Sequence, residues 1–60
     1  MKAFIYDTET HEIIAIIYGE TNEQCEEVAL DYGWLEYDKY GLTYDQFEME
    51  ISQYVQEIDF

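Results

Sequence analysis

The stretch Glu12–Tyr18, Glu-Ile-Ile-Ala-Ile-Ile-Tyr, constrains the fold of this chain more than any other. It holds four isoleucines in five positions, and β-branched side chains pack well on a pleated surface. The run is short and stops at Gly19, which suits a buried strand better than a helix. Strand alternation sends Ile13, Ala15 and Ile17 to one face and Ile14, Ile16 and Tyr18 to the other. A strand apolar on both faces needs cover on both sides. That need governs the reading of its neighbours.

Lys2–Asp7, Lys-Ala-Phe-Ile-Tyr-Asp, is rich in strand formers. The connector Thr8-Glu9-Thr10-His11 is polar and of hairpin length, so the two strands are expected to pair antiparallel. Thr21-Asn22-Glu23-Gln24 then fits a capping box, with threonine as N-cap and glutamine at N3. Cys25, Val28, Ala29 and Tyr32 follow at the spacing of an inward helical stripe, and Gly33 sits where a helix commonly ends. The outward face carries Glu23, Glu27 and Asp31 at i, i+4 spacing, with Glu26 beside them. Like charges at that spacing cost a few tenths of a kcal/mol each. No lysine alternates with these acids, whereas a face tuned for helix stability mixes signs.

Between Gly33 and Leu42 the composition of Trp34–Tyr37 predicts a third strand, with a short helix closing at Gly41 as the alternative. Thr43-Tyr44-Asp45-Gln46 repeats the capping-box pattern, and Leu42 with Phe47 fits a hydrophobic staple. Phe47, Ile51, Tyr54, Val55 and Ile58 follow helical spacing, while the strand-like alternation of Phe47–Ile51 fails at Gln53. This pattern predicts a helix over Tyr44–Ile58. The expected architecture is a small α+β domain spanning residues 1–60. A β-hairpin, extended to three strands if Trp34–Tyr37 joins it, packs with two amphipathic helices in the order β-β-α-(β)-α. With both helices on one face, the other face stays apolar and favours a homodimer.

Sixty residues bury only about 60% of the unfolded surface, so a domain of this size is marginally stable. Cys25 has no cysteine to pair with, which suits a reducing, cytoplasmic setting. No secretory signal is legible after Met1-Lys2, and no stretch approaches the ~20 apolar residues of a membrane span. Fifteen acidic residues face two lysines, for a formal net charge of −13. A charge of that size favours disorder, but 48% hydrophobic and 18% aromatic content argue for a folded domain.

Recognisable catalytic chemistry is missing. His11, Cys25 and Ser52 are each the only residue of their type, and their expected positions do not converge on a nucleophilic site. Asp38–Phe47 superficially follows the second half of an EF-hand loop. With Gly41 at position six, however, position twelve is Phe47 rather than glutamate. One cysteine and one histidine do not make a structural zinc site. Nothing marks one carboxylate pair above another as a glycosidase dyad. No glycine-rich phosphate loop is present, and the charge repels nucleotides and nucleic acid. The expectation is a non-enzymatic protein with no cofactor and no metal.

The charge does indicate a class of partner. A field this negative attracts basic surfaces and speeds association with them. The commonest basic surfaces in a cell are nucleic-acid-binding grooves, built for about one phosphate charge per 1.7 Å of duplex axis. Carboxylates at i, i+4 on a helix repeat about every 6 Å, a sparser row of similar order. Glu23, Glu26, Glu27 and Asp31 are the candidate partner-binding face. Glu36 and Asp38, with Tyr37 and Tyr40, form a second candidate, since tyrosine is a favoured interface anchor.

The order Met-Lys-Ala-Phe-Ile-Tyr-Asp, a polar turn, an apolar strand, Thr-Asn-Glu-Gln-Cys-Glu-Glu-Val-Ala and then Tyr-Asp-Lys-Tyr-Gly resembles small acidic proteins of phages and mobile elements. The resemblance covers roughly residues 1–44 and carries no diagnostic motif or site residue. Proteins of that kind include anti-CRISPR, anti-restriction and uracil-DNA glycosylase inhibitors. The resemblance implies an inhibitor that imitates nucleic acid and blocks the basic groove of a CRISPR or restriction nuclease. The alternative is a homodimeric structural or adaptor module whose acidity serves solubility.

Overall fold

The computed structural model describes residues 1–60. The elements run β1 (Lys2–Asp7), β2 (Glu12–Tyr18), α1 (Asn22–Asp31), β3 (Tyr40–Thr43) and β4 (Glu50–Asp59). One four-stranded mixed sheet has the order β3-β1-β2-β4. β1 pairs antiparallel with β2 and with β3, while β4 lies parallel to β2. The chain is an α+β domain with one helix.

The hairpin forms as its residues predict. Its turn is closed by the His11 N–H donating to the Asp7 carbonyl at 2.8 Å, with Asp7 Oδ1 also accepting from the Glu9 N–H at 2.8 Å. β1 and β2 supply most of the core. Ala3, Ile5, Ala15 and Ile17 are buried beneath Cys25, Val28 and Ala29 of α1. Each isoleucine buried this way contributes roughly 1.5–3 kcal/mol.

Strand alternation along β2 does not hold throughout. Ile5 pairs with Ala15 but Tyr6 pairs with Ile13, so Ile14 is an extra residue on β2. A bulge of this kind reverses the side-chain faces beyond it. Ile13 therefore joins Phe4 and Ile16 on the face away from the helix, and Ile14 packs on the helix side. That second face is not left open, as a two-helix arrangement had implied. Phe4, Ile13 and Ile16 are buried there, with Tyr6, Tyr18, Met49 and Val55 packed over them.

The helix expected over Tyr44–Ile58 is instead a loop followed by strand β4. Without β4, the outer edge of β2, whose residues 13–17 are all apolar, would leave backbone groups unpaired. The break at Gln53 is a bulge rather than a change of period. Ile51 and Gln56 of β4 lie opposite Ile13 and Ala15 of β2, so 52–55 form an excursion facing Ile14 alone. Val55 turns in from that excursion to the core, while Tyr54 is left 80% exposed. Thr43 does not cap a helix: its Oγ1 accepts from the Asp45 N–H at 3.2 Å in a local turn. Phe47 makes no staple, being 78% exposed and held at φ 48°.

The third strand forms at Tyr40–Thr43 rather than Trp34–Tyr37. Gly33, at φ 79°, lets the chain reverse after α1, and the Trp34 N–H bonds back to the Ala29 carbonyl at 3.0 Å. Trp34 then stacks on Tyr32 with centroids 4.8 Å apart, and residues 32–39 stay in turns. Gly41 opens β3 to its neighbour. It pairs with Tyr6, whose ring lies where a Cβ on Gly41 would stand.

Candidate functional site

α1 is positioned by its N-terminus. Thr21 is the N-cap, and its Oγ1 accepts from the Gln24 N–H at 3.2 Å. The Gln24 side chain reaches back to accept from the Glu20 N–H at 2.8 Å, one residue further out than in the standard box. With Cys25, Val28 and Ala29 anchored on the sheet, helical geometry fixes where the acids go. At about 100° per residue, Glu23, Glu26, Glu27 and Leu30 share one arc of the helix on the side away from that anchored stripe.

Those four residues border an open groove of about 390 Å³, lined by Glu23, Glu26, Glu27, Leu30, Leu35 and Leu42. Leu42 comes from edge strand β3 and Leu35 from the turn after α1. Leu30 is 56% and Leu35 42% exposed, so the apolar floor is open to water. α1 carries no basic residue to balance the rim. The two lysines are placed elsewhere, with Lys2 Nζ 5.6 Å from the centroid of Tyr18 and Lys39 Nζ 5.5 Å from that of Tyr40.

Tyr44 stands beside the same flank. Its hydroxyl donates to the Asn22 carbonyl at 3.4 Å, a weak bond. Burial raises its pKa above the ordinary phenol value, and the nearby Glu26 carboxylate adds to the shift.

The sequence-derived residues thus separate. Three of the four helix acids converge on the groove, while Asp31 is exposed on α1 but does not line it. Glu36, Tyr37 and Asp38 sit in the turn that precedes β3, with Tyr37 68% exposed. The turn is tethered from the hairpin: the Thr8 N–H donates to the Lys39 carbonyl at 2.9 Å, and the single Thr8 hydroxyl hydrogen is shared between the carbonyls of Asp38 at 3.0 Å and Lys39 at 2.9 Å. Tyr40 is half-buried in β3 and packs on the helix-side core. The groove leucines escape a pattern search that looks only for the inward stripe. Leu30 was nonetheless detectable: it is the one large aliphatic residue on the acidic flank, at i+3 from Glu27 and i+4 from Glu26.

A larger concavity of about 590 Å³ lies by the hairpin turn, lined by Tyr6, His11, Thr43, Phe47, Glu48 and Met49. Tyr6 and His11 meet edge to face with centroids 6.4 Å apart. Nowhere do three His, Cys, Asp or Glu side chains gather in a way that could hold a metal. Cys25 is fully buried, with Sγ 3.9 Å from the Ile17 carbonyl, as a core residue should be. No helix is long and apolar enough to cross a membrane. No protein-family model matches the chain, and neither a curated protein nor a solved structure matches it.

Proposed function

We propose that this protein is a non-enzymatic inhibitor of the phage type, acting in the host cytoplasm. It binds and blocks a basic nucleic-acid-binding surface of a host defence or DNA-processing protein, such as a CRISPR or restriction nuclease. The observation that carries the reading is the convergence of Glu23, Glu26 and Glu27 on one open groove in a protein of net charge −13. A negative field steers the complex together, and the rim carboxylates then compete with phosphates for arginine and lysine. Glu36 and Asp38, exposed on the tethered turn with Tyr37, form a second acidic patch that the same partner would meet. The test is competition: the chain should displace duplex DNA or guide RNA from its target nuclease, and displacement should weaken steeply with salt. A target that binds the chain and nucleic acid together would refute the reading.

A homodimeric adaptor is the second reading. It is favoured by the outer edge of β4, where Ile51 is 46% and Tyr54 80% exposed. An unpaired edge strand is a template for a second copy. Glu50, Glu57 and Asp59 on the same strand oppose self-pairing. Sedimentation at low and high salt separates the two readings.

A further inference from the structure

We infer that the groove between α1 and β3 receives an arginine next to an apolar side chain of the partner, rather than a bare array of positive charge. This rests on the reading that the partner is a basic protein surface, and adds the chemistry of the residue that enters. A surface that only imitated phosphate would need carboxylates standing in water. Here Glu23, Glu26 and Glu27, all on α1, line one groove together with Leu30, Leu35 and Leu42 instead. Leu30 and Leu35 are roughly half exposed, an unfavourable arrangement in the free protein that a partner's apolar atoms would relieve. The volume of about 390 Å³ lies within the range of roughly 300–1,000 Å³ typical of ligand-sized sites.

Arginine fits both halves of this site. Its aliphatic stem covers leucine, while its planar fork offers five donors to several carboxylates at once. Guanidinium is also more weakly hydrated than ammonium, so it loses less on entering a groove with an apolar floor. Lysine, a compact and strongly hydrated point charge, gains less from the leucines. An adjacent leucine or similar residue of the partner fills the remaining floor near Leu35 and Leu42.

Three synthetic helical peptides of equal net charge test this against the full chain, with titrations followed through backbone amides and leucine methyl groups. One peptide places leucine four residues from arginine, one places serine there, and one pairs leucine with lysine. The Arg/Leu peptide should bind about tenfold more tightly than either of the others. It should also shift the methyl resonances of Leu30, Leu35 and Leu42. Leu35→Ser, in an exposed turn, should abolish that preference, bringing Arg/Leu binding down to the level of Arg/Ser; Leu30→Gln on the helix surface should do the same. Arginine peptides that perturb α1 with no preference for leucine would overturn this inference and leave the basic-partner reading standing. If no peptide perturbs α1, both fall.

Discussion

Gly41→Ala puts a methyl group where the ring of Tyr6 lies. A Cβ there would approach Tyr6 Cε1 at 2.7 Å, with Cζ and the hydroxyl also within contact. The two residues are direct partners in the β1–β3 ladder, and the Cα positions are held by flanking pairs Ile5–Leu42 and Asp7–Tyr40. The ring must therefore rotate away or the edge strand must shift. Overpacking of this kind costs about 1–3 kcal/mol. A sixty-residue domain has a total stability of roughly 3–9 kcal/mol, so the loss is a large fraction of the whole. With a urea slope of about 1 kcal/mol/M for a small protein, the midpoint should fall by about 1–3 M, followed through Trp34 fluorescence. Pairing the change with Tyr6→Leu isolates the cause. Once the ring is gone, the same Gly41→Ala should be nearly neutral, giving a coupling of about 1–3 kcal/mol. Additive effects in the cycle would refute the account of why glycine stands at this position.

Tyr18 and Tyr44 both have raised phenol pKa values, Tyr18 chiefly through its 2.8 Å hydrogen bond to Glu57 and Tyr44 chiefly through burial. A folded-state value above the unfolded 10.0 means the stabilisation is complete below pH 10 and is lost as pH rises through the folded value. Alkaline melts should show that loss, and it should shrink in Tyr18→Phe; an unchanged alkaline limb would contradict the Tyr18–Glu57 link. At neutral pH, raising sodium chloride from 0.01 to about 0.15 M shortens the Debye length from about 30 to 8 Å, so the melting temperature should rise as self-repulsion is screened. A melting temperature that falls with salt would count against the repulsion. Ile58→Pro removes a ladder donor or distorts β4 beside Ile17, and amide exchange in β2 should accelerate with it. Unaltered protection of Ile16 and Ile17 would argue against the parallel pairing.

Sequence and structure agree where the signals are local. The β1–β2 hairpin is specified by two apolar runs and a short polar turn. α1 is specified by Thr21, Gln24, the Cys25–Val28–Ala29 stripe and Gly33. β4 was hidden because its pattern is set by a distant partner. The excursion at 52–55 breaks the period of two, and what remains of Ile51, Val55 and Ile58 imitates a helix. The hydrogen-bonding demand of the free β2 edge overrode that local pattern. The same absence of local information misplaced the third strand: Trp34 is drawn into a stack with Tyr32, and the role of Gly41 in β3, leaving room for the Tyr6 ring, exists only once β1 and β3 are paired. Of the proposed binding surface, the acids of α1 were visible as an unmixed charge row. The leucine floor was not, since Leu35 and Leu42 reach Leu30 only through the fold.

Affinity for the target nuclease, measured at two salt concentrations for the native chain and for the triple variant Glu23→Lys, Glu26→Lys, Glu27→Lys, bears most directly on the proposed role. Loss of about 100-fold or more at low salt, with the variant still folded by circular dichroism, is the expected result. A variant that binds and inhibits as well as the native chain would mean that the groove between α1 and β3 is not where the partner is held.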